Sequence, residues 1–387
     1  MQRIDSRHQP KLLILYASYG EGHIQVARAI RDTLEAYGNN RTVLVDLMAE
    51  SHPWLNAMTR SFYLKSYTYM PSLYGWVYNL TKPMKHNSML GGLLHSFGRD
   101  KIKRILAEEQ PDAVIHTFPF FALPELKKRT SLHPPSYVVI TDFDLHGRWV
   151  HPSIERYYVA THDLKQELSM LDIPASSVLV SGIPLKRGFR AAAASSELFA
   201  RYQLQPDKPV VLMMAGAQGV MPDVAEICER LLQDSAVQIA LVCGHNHQLK
   251  DKMSRLFQKH EHAGDLHVFG FIDQIHELMA ISQCLITKPG GVTLSEAIAA
   301  GLPIFIYRPV PGQEKQNALY LEAKGAAAVA YSPERLSDEI LKLMHDPMRL
   351  IGRKQSIRSL QPSHTAADAI VLDILSNIRI MEKASTL

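Results

Sequence analysis

The chain has 387 residues, 46% of them hydrophobic, and this length predicts two globular domains rather than one. Its three cysteines, Cys228, Cys243 and Cys284, lie in predicted helices or strands and lack metal-ligand spacing, which fits a reducing compartment. The N-terminus has no signal-peptide pattern, and no apolar run reaches the ~18 residues of a membrane span. We therefore expect a cytosolic protein.

The net charge of +4 is distributed unevenly along the chain. Residues 51–104 carry eight Lys or Arg and one acid, together with nine aromatic residues, so this window is +7 and the remainder is −3. Basic and aromatic side chains together predict contact with an anionic surface, either a membrane or nucleic acid. The apolar stripes described below favour lipid, so nucleic acid is not the expected partner.

The first half of the chain alternates short apolar runs with helical patterns. The predicted strands span 11–18, 43–47, 112–116, 136–141, 156–160 and 178–181. A glycine loop that contains Gly20 and Gly22 follows the first strand, and His23 begins the first helix. Such alternation predicts a parallel, doubly wound sheet of the Rossmann type.

The basic aromatic window 51–104 interrupts this alternation after the second strand. Three apolar stripes at helical spacing predict three short amphipathic helices: Leu55, Met58 and Phe62; Leu73, Trp76, Val77 and Leu80; and Leu90, Leu93, Leu94 and Phe97. We interpret the window as an inserted helical subdomain with one face available to a membrane.

A second alternation begins after a linker placed within residues 185–207. Its predicted strands span 209–214, 237–243, 267–269, 284–287, 303–307 and 326–330. The predicted domains are therefore residues 1–185 and 208–362, followed by a C-terminal helix over 363–387. The apolar stripe of that helix (Ile370, Val371, Ile374, Leu375 and Ile378) is interpreted as core rather than as a membrane contact.

The stretch 288–318, KPGGVTLSEAIAAGLPIFIYRPVPGQEKQNA, carries the densest chemical signal. A loop rich in glycine precedes a helix predicted to start near Thr293, and a second loop ends in Gln313 and Glu314. Both loops leave the carboxyl ends of strands, where open α/β sheets bind ligands, and a helix N-terminus suits an anion. The pattern predicts a nucleotide-sugar site.

Seven motifs together resemble one known family almost from end to end. They are YGEGHIQVARAI (19–30), IHTFP (115–119), TDFDLHGRWVHP (141–152), SGIP (181–184), MAGAQG (214–219), VCGHN (242–246) and the stretch 288–318. The chain resembles the bacterial processive diacylglycerol glucosyltransferases of glycosyltransferase family 28. These are relatives of plant monogalactosyldiacylglycerol synthases and of the peptidoglycan enzyme that adds N-acetylglucosamine to lipid I.

The resemblance implies a GT-B fold, in which two Rossmann-like domains face each other across a cleft. It also implies an inverting enzyme that moves glucose from UDP-glucose to diacylglycerol, and then to glucosyl-diacylglycerol, without a metal or other cofactor. We expect peripheral attachment to the cytoplasmic face of the cell membrane. Alternatives are another hexose such as galactose, another acceptor such as a sterol or polyprenyl lipid, and a non-catalytic UDP-sugar sensor that docks on membranes.

The resemblance also assigns donor-binding roles to residues of the second domain. Glu296 is expected on the ribose hydroxyls, although Thr293 and Glu296 also have the spacing of a helix capping box. Gln313 and Glu314 are expected on the hexose, with a solvated helix N-terminus as the alternative, and Asn317 either assists them or makes a structural hydrogen bond. The remaining predicted donor contacts are Gly216, Ala217, Phe271, Ile272, Gly290, Gly291, Val292 and Thr293.

Inverting transfer needs a base that takes the proton of the acceptor hydroxyl. His23 is the first candidate because it begins a helix at the end of a strand, where a neutral imidazole is expected, and Asp142 is its rival. Asp142 and Asp144 could also hold a metal, but we favour no metal site. The predicted acceptor and membrane contacts are Gly22, His146, Trp149, Trp54, Trp76, Lys82 and Lys85.

Overall fold

The computed structural model describes residues 9–18, 20–51, 71–83, 99–119, 123, 134–191, 194–234, 236–260 and 263–385. The chain divides into two compact units. The first unit comprises residues 1–186 and 362–387, and the second comprises residues 187–361. The second unit thus begins earlier than the predicted residue 208, and the C-terminal helix belongs to the first unit.

The first unit is built on a six-stranded sheet in the order β2-β1-β3-β4-β5-β6, with every pair parallel. Its strands are β1 Leu12–Tyr16, β2 Thr42–Asp46, β3 Ala113–His116, β4 Ser136–Val139, β5 Arg156–Val159 and β6 Val178–Val180. Its helices are α1 Glu21–Ala36, α2 Leu47–Ser51, α3 Pro71–Thr81, α4 Arg99–Glu109, α5 His162–Met170 and α15 Ala366–Ser385.

Parallel strands require crossover connections, and helices supply them here. Helix α1 buries Val26, Ile30 and Leu34 on its apolar face. Helix α15 contacts α1 and buries all five residues of the predicted stripe, Ile370, Val371, Ile374, Leu375 and Ile378. That stripe is therefore core, as predicted.

The second unit is built on a six-stranded parallel sheet in the order β12-β11-β10-β7-β8-β9. Its strands are β7 Val210–Met214, β8 Gln238–Val242, β9 Leu266–Phe269, β10 Cys284–Thr287, β11 Ile304–Tyr307 and β12 Ala327–Ala330. Its helices are α6 Gly188–Ala191, α7 Ser196–Arg201, α8 Val224–Leu232, α9 His247–Phe257, α10 Ile275–Ala280, α11 Gly291–Ala299, α12 Gln313–Ala323, α13 Pro333–His345 and α14 Pro347–Arg358.

The predicted strands all form, and the predicted class of two Rossmann-like α/β units is confirmed. Of the three predicted amphipathic helices in residues 51–104, the second is α3. The other two stripes lie outside the described residues, as do Trp54 and Lys85. Among the helices that the structure describes, none is long and apolar enough to cross a bilayer.

Each sheet has one place where the direction of strand progression reverses. In the first unit this switch point lies between β1 and β3, and in the second it lies between β7 and β10. Loops leave the carboxyl ends of both strands at a switch point and diverge there, which creates a crevice for ligands. The predicted site residues His23, Gly216 and Gly290 all follow strands that flank these two points.

Candidate active site

The two predicted donor loops of the second unit meet at its switch point. Strands β7 and β10 pair directly, with Met213 opposite Ile286, so the loop after Met214 leaves beside the loop after Thr287. The first loop contains Gly216 and Ala217, and the second contains Gly290. Their placement is that of a ligand-binding crevice in an open α/β sheet.

The glycines of the first loop serve two different purposes. Gly216 and Gly219 both have positive φ angles, +80° and +59°, which favour glycine. A Cβ at Gly219 would lie 2.3 Å from the carbonyl oxygen of Cys243, so this glycine is also required for packing against the loop after β8. A Cβ at Gly216 would meet nothing within 4 Å. Packing therefore requires a glycine at position 219, whereas the space beside Gly216 is open.

Neither the backbone conformation nor the packing requires a glycine at position 290. It precedes α11 with φ −70° and ψ 135°, a conformation open to any residue. A Cβ there would meet nothing within 4 Å, and the residue is exposed. The space in front of it faces the start of α11, where the first-turn N–H groups have no partner within the helix itself. An anion could approach the backbone closely here.

Helix α11 begins at Gly291, not near Thr293 as predicted. Its N-cap is Gly290, which has no side chain, and Thr293 lies inside the first turn. A capping box requires the Thr at the N-cap, so the capping-box alternative for Glu296 is wrong. Glu296 lies in the second turn, on a buried face, with 5% of its surface exposed.

Gln313 and Glu314 form the first turn of α12 rather than the end of a loop. Gly312 precedes them with φ +103°, and Oε2 of Glu314 accepts a hydrogen bond from the Val310 backbone N–H at 3.1 Å. Burial lowers the pKa of Lys288, and the charge of Glu314 opposes this shift. A cation at the end of β10 and a carboxylate at the start of α12 therefore interact.

Asn317 has a structural role that the sequence left open. It is fully buried, and its Nδ2 donates a hydrogen bond to the carbonyl oxygen of Pro289 at 3.0 Å. This bond ties α12 to the loop before α11. The structural alternative for Asn317 is therefore present, and the residue fixes the loop that contains Gly290.

Phe271 and Ile272 follow β9, which pairs with β8. Ile272 is half-buried, whereas Phe271 exposes 48% of its surface. The ring of Phe271 stacks on His245, which follows β8. The sequence pattern did not single out His245 as a site residue, although it lies in the VCGHN motif.

His23 lies at the switch point of the first unit, in the first turn of α1. Its Nδ1 is 2.7 Å from the carbonyl oxygen of Thr117, in the loop after β3. Because a carbonyl oxygen only accepts, Nδ1 must carry the proton, and Nε2 is then the basic nitrogen of the neutral ring. The Thr141 hydroxyl lies 3.2 Å from the same Nδ1. These contacts fix the tautomer and orientation of the imidazole.

Burial lowers the pKa of His23 below its ordinary value of 6.5. The charge of Asp142 and the bond to the Thr117 carbonyl act in the opposite direction and only partly offset burial. The ring is thus neutral near pH 7, as predicted, but the main cause is burial rather than the helix N-terminus. Asp142 is buried, and its negative charge favours the protonated form of His23.

Asp144 is bonded to helix α3. Its Oδ2 accepts a hydrogen bond from the Tyr78 hydroxyl at 2.7 Å, and its Oδ1 pairs with Nζ of Lys82 at 2.6 Å. Within the described parts of the chain, no group of three or more His, Cys, Asp and Glu could hold a metal ion. The structure therefore explains Asp144 as an anchor for α3, and it pairs Lys82 with Asp144, while the membrane role of Lys82 stays a prediction.

Two of the predicted acceptor residues, Trp149 and Gly22, lie close to His23. Trp149 and Phe118 flank His23, with ring centroids 6.4 Å and 5.0 Å from that of the imidazole, and Trp149 is buried. Gly22 lies beside His23 in the first turn of α1 and is half-buried. Trp149 and Gly22 therefore both lie beside the candidate base.

The side chain of His146 forms hydrogen bonds within its own loop and with α3. Its Nδ1 accepts a hydrogen bond from the Arg148 N–H, and its Nε2 lies 3.2 Å from the Thr81 hydroxyl of α3. Burial, together with the charges of Arg148 and Lys82, lowers its pKa to about 4. His146 therefore shapes the loop and holds α3, and its role in an acceptor pocket stays a prediction.

The residues that anchor helix α3 are different from the residues of its apolar stripe. Leu73, Trp76, Val77 and Leu80 are all exposed, Trp76 by 62%. Tyr78, Thr81 and Lys82 hold the helix and its end to the loop over residues 144–147. The apolar stripe predicted for this helix is thus presented to the surroundings rather than buried in a core.

Thr117, Thr141 and Tyr78 contact candidate site residues, and the sequence pattern did not assign them. Thr117 and Thr141 lie in the IHTFP and TDFDLHGRWVHP motifs, so the motifs carried a signal for them. Their contacts with His23 bridge 94 and 118 residues of sequence, and the contact of Tyr78 with Asp144 bridges 66. No local pattern encodes such pairings.

Two protein-family models match the chain, one in each half. The model described as monogalactosyldiacylglycerol (MGDG) synthase matches residues 23–185. The model described as glycosyl transferases group 1 matches residues 196–358. The first match begins at His23, and the second contains both loops of the second switch point.

Solved structures resemble the chain in fold at low sequence identity. MurG from Acinetobacter baumannii has a TM-score of 0.61 at 14% identity and covers 95% of this chain and 100% of that chain. A complex of MnaA from Staphylococcus aureus with UDP has a TM-score of 0.60 at 15% identity and covers 95% of this chain and 97% of that chain. The predicted GT-B class, with its two Rossmann-like domains, is thereby confirmed.

Curated relatives match almost the whole chain. A processive diacylglycerol beta-glucosyltransferase from Bacillus cytotoxicus is 39% identical over 361 residues, which is 93% of this chain and 92% of that protein. A relative of the same name from Bacillus cereus is 39% identical over 367 residues, or 94% of each chain. With this identity over nearly its full length, the chain belongs to the processive diacylglycerol beta-glucosyltransferase family.

Proposed function

We propose that this chain transfers glucose from UDP-glucose to the free hydroxyl of diacylglycerol and then to the glucosyl lipid so formed. The observation that carries the proposal is the neutral, oriented imidazole of His23 in a chain whose relatives bear this activity in their names. The glucosyl group of UDP-glucose is α-linked, and the relatives are named for a β product. A single displacement that inverts C1 accounts for both.

The chemical step needs one base and one stabilised leaving group. Nε2 of His23 takes the proton of the acceptor hydroxyl while its oxygen forms a bond to C1 of the sugar. The bond between C1 and the diphosphate oxygen breaks, and UDP leaves with that electron pair. Asp142 stabilises the imidazolium that results.

The second unit is proposed to hold the donor. The backbone at Gly216 and Ala217 and the start of α11 from Gly290 to Thr293 are proposed to receive the diphosphate, because N–H groups at a helix N-terminus attract an anion. Glu296 takes the ribose hydroxyls, and Gln313 and Glu314 take the hexose. The amino group of Lys288, near Glu314, would add a positive charge to this side of the donor.

Diacylglycerol resides in a membrane, so the enzyme must work at its surface. The exposed stripe of α3, with Trp76 at its centre, supports peripheral attachment, because tryptophan favours the lipid interface. We propose attachment to the cytoplasmic face, where anionic lipids would attract the basic window. Trp54 and Lys85 keep their predicted membrane roles as part of this proposal.

Vesicles that contain diacylglycerol and an anionic phospholipid, incubated with radiolabelled UDP-glucose, test the proposal. Label that partitions into the lipid phase, and that the His23→Ala variant does not incorporate, is the expected result. Label only in water-soluble products would mean another acceptor. Vesicle binding without any transfer would mean a UDP-sugar sensor, and either of these results overturns the proposal.

A further inference from the structure

An exposed pair of aromatic rings lies at the carboxyl edge of the second sheet. The rings of His245 and Phe271 stack with their centroids 4.4 Å apart and their planes within 10° of parallel. His245 is exposed, and Phe271 exposes 48% of its surface. Two flat faces are therefore presented to solvent at the edge where parallel sheets bind their ligands.

The backbone holds His245 in this position from two sides. Strands β8 and β9 pair with Val242 opposite Phe269, and the Cys243 N–H donates to the Phe269 carbonyl at 2.9 Å. The loops that follow, which carry His245 and Phe271, therefore leave the sheet side by side. The stack follows directly from this register.

His245 is also hydrogen-bonded to the glycine loop after β7. The His245 backbone N–H donates to the carbonyl oxygen of Ala217 at 2.9 Å. At Gly244, a Cβ would lie 2.4 Å from that oxygen, so the two loops touch closely. His245 thus connects the loop proposed to receive the diphosphate with Phe271, one of the predicted donor contacts.

We propose that His245 is a donor-binding residue whose ring, together with Phe271, forms the stacking surface for the pyrimidine base of the nucleotide. This inference rests on the proposed function for the identity of the ligand as a uridine diphosphate sugar. A base adds a third flat ring to the exposed stack, which removes its apolar faces from water. His245 therefore acts through ring planarity rather than through charge.

The chemistry favours stacking over a purely structural ring contact. Stacking of a base on an aromatic side chain contributes ~1–3 kcal/mol by alanine substitution, which corresponds to roughly 5- to 150-fold in affinity. A contact that served only to pack the two loops would be expected to be buried. Here both rings remain open to solvent, on the side where the donor loops converge.

Three substitutions at one position separate planarity from charge. The dissociation constant of UDP is measured by calorimetry for the wild type and for His245→Ala, His245→Phe and His245→Lys, with His247→Ala as the matched control. His247 is also exposed and begins α9 two residues later. Melting temperatures of all variants establish that each one folds.

The expected result is that His245→Ala weakens UDP binding about tenfold, which lies within the range for one stacked base. His245→Phe should restore most of the affinity, His245→Lys should not, and His247→Ala should bind like the wild type. Unchanged binding by His245→Ala, rescue by Lys but not by Phe, or equal weakening by His247→Ala overturns the inference. Wild-type protein that binds UDP but transfers no glucose would contradict only the proposed function.

Discussion

The tautomer of His23 is set by one backbone carbonyl. The Thr117 oxygen accepts from Nδ1, which makes Nε2 the nitrogen that can take a proton. The sequence identified His23 because a histidine after the first strand of a Rossmann unit lies at the sheet's carboxyl edge. It could not identify the partner, since the carbonyl is 94 residues away and any residue type at position 117 would supply one.

The depressed pKa of His23 predicts the acid limb of the pH profile. The folded-state pKa lies below 6.5, so the neutral base persists at and above that pH and is lost as the pH falls through the lower value. We expect kcat/KM to be constant from pH 6.5 to 8 and to decrease at more acidic pH, as the pH falls through the pKa of His23. The His23→Ala substitution should reduce transfer by about 100-fold or more while UDP still binds. Transfer that rises on acidification, or near-normal turnover by His23→Ala, would exclude His23 as the base.

Gly290 offers a second test, because nothing inside the fold needs a glycine there. The Gly290→Ala substitution should leave the free energy of unfolding unchanged within ~0.5 kcal/mol. It should nevertheless weaken UDP binding about tenfold, because the added methyl group would stand where the diphosphate is proposed to approach the helix. Calorimetry and thermal unfolding measure the two effects.

Gly219→Ala is the control for this pair of effects. There the added methyl group meets the Cys243 carbonyl and the backbone has a positive φ, so stability should fall. Normal UDP affinity of a stable Gly290→Ala variant would show that no ligand approaches this backbone.

Glu296 can now be tested without the capping ambiguity. Because Gly290 caps α11, Glu296→Gln should keep the helix intact and preserve the melting temperature. Loss of one charged acceptor from the ribose is expected to raise the KM for UDP-glucose by about tenfold or more. An unchanged KM would remove Glu296 from the donor site.

At the scale of elements, the sequence predicted the strands well and the helix starts less well. Buried parallel strands are continuous apolar runs between turn residues, so each of the twelve strands in the described part of the chain was visible from its composition. Helix α11 starts earlier than predicted because a glycine N-cap leaves no side-chain signal. The anchoring of α3 was not predictable, since its partners Asp144 and His146 follow more than sixty residues later.

Helix α3 should loosen when one of its anchors is removed. Burial raises the pKa of the Tyr78 phenol, so its hydroxyl stays protonated and donates to Asp144. The Tyr78→Phe substitution removes this bond to a charged acceptor, worth ~1.5–3 kcal/mol in typical cases. We expect faster amide hydrogen exchange over residues 71–81 and no change in strands β7 to β12.

Asn79→Ala serves as the control for the anchor, because Asn79 is exposed on the same helix. It should exchange like the wild type. If Tyr78→Phe also leaves the exchange of residues 71–81 unchanged, the hydroxyl bond does not hold α3 to the loop that carries Asp142 and Asp144.

At the scale of the whole molecule, the two units repeat one architecture with different chemistry at their switch points. The first unit places a neutral imidazole there, and the second places glycine loops and a helix N-terminus. The repetition was evident in the sequence as two successive alternations of strand and helix. The C-terminal helix departs from this order, because it follows the second alternation in sequence but packs in the first unit.

The most direct measurement is mass spectrometry of the lipids formed when the purified protein acts on diacylglycerol vesicles supplied with UDP-glucose. We predict diacylglycerol that carries one hexose at early times and two or more hexoses later, with formation of both strongly reduced by His23→Ala. Vesicles whose diacylglycerol remains unglycosylated, from wild-type protein that binds UDP, would contradict the proposed function.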